Sequence, residues 1–409
     1  MRKLSRQFLL GMGRSMLGFV IFVLIVFLAF GVSPIYNFTR PEPFSGPDIF
    51  NPYEKLDTTT GWKRANFHTH TRVKGPLPPN ECKYWPGEVL EDYRKLGYDI
   101  LTFSNHNEIT QHPTDPSLQV NVYEHGYGLY KYHKLVFGAS RVHYFDHLLP
   151  LLASQKQWQL DYLAKDSDFI QMNHPFRTGG TSEYQMGVLE DYQIMELDSG
   201  VSIENEYWDW ALSAGHYSFG LANDDCHDSK TSGRIAVRCN WLNADGAGYA
   251  DIKDCLLGGA YYSMRVPDFG DGDWDIKYEG NRNLPMVSDI GLDSATVYIK
   301  LTRPAKYIKV VGQNHATLDS LSATSSTAYT MQPDDAYARF IACFDDGVVI
   351  YSNPFARYDK EKAPSPFRAP EHSVNIALTV LYNAAIAFAI ALLLFCLLSL
   401  VGRGRRCRG

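Results

Sequence analysis

Six residues of the types that bind transition metals follow short apolar stretches: His68, His70, His106, His174, Asp225 and His227. Two of them form a His-x-His pair, and two others form an Asp-x-His pair. Side chains two residues apart on a β-strand point to the same face. Each pair therefore presents two ligands at one place. Imidazole and carboxylate together suit Zn²⁺, Mn²⁺ or Fe²⁺.

The elements that must position these ligands alternate between strand and helix from residue 62 to about residue 264. Strands are predicted at residues 65–68, 99–106, 168–174, 193–198, 218–225 and 259–265, and helices at 86–96, 205–214 and 249–257. Pro86 near the start of the first helix and Gly97 after its end are typical helix boundaries. Such alternation indicates a parallel sheet or barrel. In these folds the chemistry gathers at the C-terminal ends of strands, where the candidate ligands lie.

The pattern changes after about residue 284. Short runs with partial period-two alternation lie at residues 295–301, 307–311, 336–344 and 348–351, separated by turn residues such as Gly347. Such runs predict a small antiparallel β domain, which we place at residues 284–358.

Two apolar segments, residues 16–32 and 374–401, are each predicted to form a transmembrane helix. Basic residues lie outside both segments: Arg2, Lys3, Arg6, Arg14, Arg403, Arg405, Arg406 and Arg408. The positive-inside rule then places residues 1–15 and the basic tail 402–409 in the cytoplasm, and the intervening chain on the extracytoplasmic or lumenal side. Residues 33–61 and 359–373 are expected to be linkers. A cleaved signal peptide is the alternative for the first segment.

The composition bounds the class of protein. Of 409 residues, 45% are hydrophobic and 21% are charged, which is typical of a packed globular body. The net charge of −6 argues against nucleic acid as a partner, because backbone binding needs a concentrated basic surface.

The order of the ligand motifs resembles that of the PHP (polymerase and histidinol phosphatase) domain over about residues 62–265. The motifs are His68-Thr-His70, Asn105-His106, His174-Pro175 and Asp225-Cys-His227. The resemblance implies a distorted seven-stranded β/α barrel at residues 62–283, with two or three divalent ions. It also implies hydrolysis, in many members of phosphoesters. Residues 339–354, which end in Ser-Asn-Pro, resemble the β-sandwich-like appendage of CehA/McbA-like PHP metallohydrolases.

The same resemblance implies further ligands between His106 and His174. Glu124 is the candidate carboxylate that bridges two ions, and His133 is the candidate histidine. His125, His143 and His147 are alternatives to His133. Carried over, the family roles assign His68, His70, Glu124 and Asp225 to one ion, Glu124, His133 and His174 to a second, and His106 and His227 to a third.

The chain departs from the family pattern after His70, where Arg72 and Lys74 lie in a stretch that often supplies another ligand. A two-ion site is therefore expected, within a range of one to three. Arg72, Lys74 and Arg177 are candidate contacts for an anionic substrate, with plain surface charges as the alternative. Glu196 and Asp198 could face the same pocket or be solvated.

These features predict a membrane-anchored, metal-dependent hydrolase, foremost a phosphoesterase that uses a metal-activated water. Its substrate would be a small-molecule phosphoester or a lipid or glycan phosphoester. Two alternatives are a carbamate, ester or amide hydrolase and a non-catalytic metal-binding sensor with a degenerate site.

Overall fold

The structure is a computed structural model that describes residues 2–73, 82–177, 180–198 and 206–406, with side chains from residue 8 to residue 401. The helices are α1 (Arg2–Ala29), α2 (Pro86–Lys95), α3 (Ala153–Ala164), α4 (Glu183–Met186), α5 (Glu206–Ser213), α6 (Tyr249–Gly258), α7 (Trp274–Arg282) and α8 (Ile376–Arg406). The first ten strands are β1 (Tyr36–Asn37), β2 (Asp48–Phe50), β3 (Lys63–Asn66), β4 (Ile100–Leu101), β5 (Val122–His125), β6 (Lys134–Phe137), β7 (Phe169–Met172), β8 (Ile194–Asp198), β9 (Phe219–Ala222) and β10 (Arg238–Leu242). The remaining strands are β11 (Tyr261–Arg265), β12 (Val287–Asp293), β13 (Thr296–Gly312), β14 (Ala316–Thr330), β15 (Tyr337–Cys343), β16 (Val349–Ser352), β17 (Phe355–Tyr358) and β18 (Ser373–Val374).

The predicted helices at 86–96, 205–214 and 249–257 are confirmed as α2, α5 and α6. Helix α2 shows why the local sequence was sufficient to predict where a helix begins and ends. Pro86 occupies its first turn, and the Glu88 carboxylate accepts a hydrogen bond from the Trp85 N–H at 2.9 Å. Val89 and Tyr93 are buried on one face, and Gly97 follows the helix with φ +83°, a conformation that glycine adopts without strain.

The strands that carry the ligands belong to two sheets. In the smaller sheet, with the order β5-β6-β7-β8-β9, the first two pairings are antiparallel and the last two are parallel. In the larger sheet, β3 pairs with β4 in parallel and with β10 antiparallel, and the sheet continues through β11 and β16 into β15, β13 and β12.

This arrangement corrects the expectation of a closed, parallel barrel. The described strands that carry the candidate ligands form two open sheets of mixed direction. The connection from β5 to β6 is short enough for an antiparallel pair, because a parallel crossover needs a dozen or more residues. One junction between the sheets is an isolated bridge between His106, which follows β4, and Glu124 in β5. A second isolated bridge joins Thr69, which follows β3, to Cys226, which follows β9.

A further junction consists of side chains, and we call it the seam. Asn240 of β10 accepts a hydrogen bond from the Ala222 N–H and donates one to the Ala222 carbonyl, both at 2.9 Å. The Gly220 N–H donates to the Asn353 side chain at 3.0 Å, and the Ser263 hydroxyl donates to the Gly220 carbonyl at 2.8 Å. These side chains satisfy the edge of β9 that has no strand partner among the described residues.

Strands β12 to β17 belong to the larger sheet and pair antiparallel, as expected. The two strands predicted at 295–301 and 307–311 are one strand, β13, whose register with β14 shifts between Lys300 and Ala305. Pro304 lies in this interval, so the shift accommodates a residue that has no N–H to donate. Strand β14 was not predicted, because its Ser, Thr and Ala residues lack an alternating apolar pattern.

Two helical segments, Phe8–Ala29 and Ile376–Val401, are long and apolar enough to cross a membrane. They pack against each other, and Gly18 of α1 lies beside Leu397 of α8. Next to the helices, β1 pairs antiparallel with β18, so that Tyr36 lies opposite Val374. Both helices therefore leave the body of the protein at the same place.

Candidate metal centre

The candidate metal centre is built around Glu124, whose side chain is buried at the end of β5. His68 Nε2 and His133 Nδ1 lie 3.2 and 3.0 Å from Glu124 Oε1. His106 Nε2 and His70 Nε2 lie 3.0 and 3.3 Å from Oε2. Each oxygen of one carboxylate therefore faces at least two imidazoles, and these four imidazoles come from three separate segments of the chain.

One group that could hold an ion consists of His68, His70, Glu124 and Asp225. The Nε2 atoms of His68 and His70 are 3.3 Å apart, and they lie 3.3 and 3.2 Å from Asp225 Oδ1. Ligand atoms about 2.1 Å from a tetrahedral ion are about 3.4 Å from one another. The spacing of these ligand atoms therefore fits a single divalent ion.

A second group consists of His106, Glu124 and His133. His174 adjoins this group, with its Nε2 atom 3.4 Å from Glu124 Oε1. His133 Nε2 and His174 Nδ1 are buried and have no hydrogen-bond partner in the described part of the chain. Buried nitrogens of this kind are costly unless something else binds them, and a metal ion binds neutral imidazole.

A further set of polar side chains holds these ligands in place. His68 Nδ1 lies 2.8 Å from Glu196 Oε1, and the His174 N–H donates to Glu196 Oε2 at 2.8 Å. The Asn173 amide donates to Glu124 Oε1 at 2.8 Å. Glu196 and Asn173 are completely buried, so these contacts do not compete with water. Such partners fix the orientation of metal ligands.

Two of the candidate ligands have strained backbones. His174 has a φ of 26° and Asp225 a φ of 50°, values that residues with a Cβ rarely adopt. Strain of this kind costs about 1–3 kcal/mol per residue and persists where the surrounding structure imposes it. In both cases the unusual backbone follows a strand and aims a side chain at the Glu124 cluster.

The electrostatic environment keeps the carboxylates ionised. Burial opposes the charge of Glu124, but the neighbouring His106, His68 and His133 hold its pKa well below the ordinary value. Asp225 behaves in the same way, because His68 and His70 offset its burial and lower its pKa. Burial lowers the pKa of His133 to about 4, so this imidazole is neutral at physiological pH and has a free lone pair.

A cavity of about 530 Å³ borders the cluster at Asp224 and Asp225. Its charged lining consists of four arginines, Arg177, Arg234, Arg238 and Arg265, and three acids, Asp224, Asp225 and Asp268. Buried Asp198 accepts hydrogen bonds from Arg238 Nε at 2.7 Å and lies 3.1 Å from Arg265 Nε, which fixes both side chains. Such a wall suits a phosphate or carboxylate group.

The structure thus brings seven of the eight candidate ligands together: His68, His70, His106, Glu124, His133, His174 and Asp225. The eighth, His227, lies at the rim. Its ring stacks on His70 at 4.2 Å, its Nδ1 is 3.6 Å from Asp225 Oδ1, and its side chain is 39% exposed. His106 lies with His133, although the family roles assigned it to a separate third ion.

The three alternatives to His133 have other partners. His125 Nε2 donates to the Phe145 carbonyl at 2.9 Å, and His143 Nε2 lies 2.8 Å from Asp166 Oδ2. His147 Nδ1 donates to the Phe30 carbonyl at 2.6 Å. The sequence left open whether Glu196 and Asp198 face the pocket or are solvated. Glu196 contacts His68, and Asp198 contacts arginines of the cavity.

The three candidate substrate contacts differ in position. Arg177 Nη1 lies 2.9 Å from Asp225 Oδ2, beside the cluster. The exposed Arg72 guanidinium lies over the Trp85 ring at 4.9 Å. Lys74 is outside the described residues. Sequence reasoning missed Asn173, Arg234, Arg238 and Arg265. Only Asn173 carried a signal, since it precedes His174 at the end of a predicted strand.

No family model and no curated protein matches this sequence. Among solved structures, the chain is similar to a two-domain protein from Bacteroides vulgatus that contains a predicted PHP-like metal-dependent phosphoesterase. The two are 16% identical, the match covers 78% of this chain and 100% of the other, and the TM-score is 0.38. A likeness at this level carries no conclusion about function, which has to rest on the site itself.

Proposed function

We propose that this chain is a metal-dependent phosphoesterase anchored to a membrane by α1 and α8. The observation that carries the proposal is the position of Glu124, whose two oxygens each face at least two imidazoles. A carboxylate shared by two groups of ligands is suited to bridge two divalent ions. The PHP-like order of the sequence motifs agrees with this interpretation.

One ion, Zn²⁺, Mn²⁺ or Fe²⁺, would be held by His68, His70, Glu124 and Asp225, and a second by His106, Glu124 and His133, with His174 beside it. Bound divalent ions supply Lewis-acid polarisation of the scissile group and activation of the attacking water. The protein contributes the orientation of the ligands. Glu196 holds His68 and His174, and Asn173 holds Glu124, so the site needs little rearrangement when substrate arrives.

The arginine-lined cavity favours a phosphoester over a carbamate, ester or amide. Arg177 lies beside Asp225, and Arg238 and Arg265, which pair with Asp198, line the same cavity. Guanidinium binds phosphate oxygens through paired hydrogen bonds, and neutral acyl substrates offer no matching charge. A small-molecule phosphoester and a lipid or glycan phosphoester both fit this chemistry. Nucleic acid is not among the proposed partners.

The location follows from the two apolar helices and the basic residues beyond them. Both termini would lie in the cytoplasm, and the Glu124 cluster would lie on the extracytoplasmic or lumenal side. The packing of α1 against α8 supports this topology, because two packed helices that leave the body at one place would carry both outer ends to the same side of a membrane.

The proposal is tested on the full chain in nanodiscs. We expect elemental analysis to find two divalent ions per chain, and turnover of aryl phosphates that exceeds turnover of aryl carbamates and esters. Glu124→Gln should lose both ions and the activity, whereas Asp225→Asn should lose one ion. Glu91→Gln on the exposed surface of α2 is the matched control. Preferred cleavage of carbamates or esters would exclude a phosphoesterase, and a protein without turnover of any of these substrates would indicate the non-catalytic sensor.

A further inference from the structure

Two loops close to the candidate metal centre expose apolar side chains. The loops are residues 127–131 and 143–152, and their exposed side chains are Tyr127, Leu129, Tyr144, Phe145, Leu151 and Leu152. Leu129 is 61% exposed and Leu151 is 54% exposed. The single acid in the two loops, Asp146, is buried. Isolated apolar side chains on a surface are ordinary, but a group of them without an exposed acid is not.

The two loops form one surface, which we call the loop surface. The Leu129 N–H donates to the Leu148 carbonyl at 2.8 Å. The Tyr127 N–H donates to the carboxylate of Asp146 at 2.8 Å, and so does the Gly128 N–H. Asp146 is therefore used to join the loops, which leaves the apolar side chains facing outward.

The loop surface is attached to the ends of the two apolar helices. Phe30, next to the last residue of α1, stacks on Phe145 with ring centroids 5.8 Å apart, and its carbonyl accepts the hydrogen bond from His147. The Gln155 amide donates to the Gly31 carbonyl at 3.0 Å and to the Tyr382 hydroxyl at 3.3 Å. These contacts hold the loop surface at the level where the helices would leave a bilayer.

The loop surface also adjoins the candidate metal centre. Residues 125–132 connect Glu124 to His133, so the exposed Tyr127 and Leu129 lie between two candidate ligands in the chain. Helix α3 gives a second indication. Strand β7 runs toward His174, and α3, which precedes it through a short connection, runs in the opposite direction. The first residues of α3 therefore lie near the C-terminal end of β7, where the candidate ligands are. Those residues are the ones that contact Gly31.

We propose that the loop surface lies in the interfacial layer of the same bilayer that α1 and α8 cross. This inference rests on the proposed membrane insertion of the two helices. Aromatic and aliphatic side chains at the interface gain from leaving water, and tyrosine and tryptophan concentrate there. Trp158 packs against Phe145 at 5.2 Å and extends this aromatic character. The end of the protein that carries the Glu124 cluster then faces the lipid headgroups.

The test uses the full chain in vesicles of phosphatidylcholine and phosphatidylglycerol, with Cys396 and Cys407 replaced by serine. Leu129→Cys and Leu151→Cys are each labelled with an environment-sensitive fluorophore. Leu321→Cys is the matched control, because Leu321 is an exposed leucine on β14. We expect a blue shift and quenching by nitroxide lipids at the first two positions and neither effect at the third. Emission at Leu129 and Leu151 equal to that at Leu321 would overturn the proposal.

A second measurement avoids substitutions. Photoactivatable lipids in the same vesicles should form adducts with residues 127–131 and 143–152 of the unsubstituted chain, and not with β14. Adducts confined to α1 and α8 would contradict the proposal. Phosphoester turnover is measured in parallel. If the loops are labelled but the protein is inactive, the loop surface contacts the bilayer and the proposed phosphoesterase activity is refuted. If the protein is active but the loops are unlabelled, the activity is supported and the membrane contact of the loop surface is refuted.

Discussion

The carboxylate of Glu196 contacts the side of the His68 ring that faces away from the cluster, with 2.8 Å between Oε1 and Nδ1. A proton on Nδ1 satisfies this contact, so Nε2, which lies 3.2 and 3.3 Å from Glu124 and Asp225, is the nitrogen that would bind an ion. One buried acid thus sets the tautomer of a candidate ligand. The same acid accepts the His174 N–H, so two ligands depend on it.

Glu196→Gln should weaken metal binding about 10- to 100-fold without unfolding the protein. A carboxylate accepts from both His68 and His174, whereas an amide has a single acceptor oxygen, so one of the two N–H groups would lose its partner. Competition with a metal chelator measures the affinity, and circular dichroism checks the fold. An affinity equal to that of the wild-type protein would mean that Glu196 does not position these ligands.

Arg177→Gln should raise the KM for a phosphoester about tenfold or more, because a charged hydrogen bond contributes about 1.5–3 kcal/mol. Its Nη1 lies 2.9 Å from Asp225 Oδ2 at the edge of the arginine-lined cavity. Arg141→Gln is the control, since Arg141 is an exposed arginine that pairs with Asp166 away from the cluster. Steady-state kinetics with an aryl phosphate compares the two variants. Equal KM values would remove Arg177 from the substrate site.

Asp209→Asn should destabilise the folded state by about 3–5 kcal/mol, because it leaves the buried Arg339 guanidinium without its countercharge. Arg339 Nε donates to Asp209 Oδ1 at 2.9 Å, and the Tyr337 hydroxyl donates to the same oxygen at 2.8 Å. Denaturant unfolding measures the loss, with Asp289→Asn, which breaks an exposed pair with Lys300, as the control. A loss no larger than that of the control would contradict the expectation.

The Asp209 carboxylate should also make the free energy of unfolding depend on pH in the acidic range. Burial would raise the pKa of Asp209, but Arg339 and His315 lower it to about 2, below the ordinary value of about 3.9. Its stabilising contribution is therefore present above about pH 4 and is lost as the pH falls toward 2. The difference in unfolding free energy between the wild-type protein and Asp209→Asn should shrink over this interval.

His372 should make the stability of the protein decrease at high pH, because it holds the segment before α8 against the body of the protein. Hydrogen bonds with Asp161 and Glu190 raise its pKa to about 9. The stabilisation is then complete below the ordinary histidine pKa of about 6.5 and is lost as the pH rises through 9. Thermal unfolding of the wild-type protein and of His372→Gln, measured from pH 6 to pH 10, should converge at the upper end. A constant difference in Tm would show that the charge of His372 does not matter.

Local sequence patterns were enough to locate most of the candidate ligands but not the geometry that joins them. His174 and Asp225 each follow an apolar run that forms a strand, and His68 belongs to a His-x-His pair after β3, so the sequence around each residue carries the signal. The antiparallel direction of β6 and the shift at Pro304 depend on pairing between strands, which no single segment specifies. Arg238 and Arg265 were missed for this reason, since they become neighbours only when β10 pairs with β11.

The seam makes the contact between the two sheets sensitive to substitution. A ladder of main-chain hydrogen bonds tolerates almost any substitution, because every residue type except proline carries the same N–H and C=O groups. At Gly220 and Ala222 that tolerance is absent, since their partners are the side chains of Asn240, Ser263 and Asn353. The contact between the two sheets along this edge is thus encoded in a few codons, and one substitution at Asn240 would remove both hydrogen bonds to Ala222 while the strands keep their own partners.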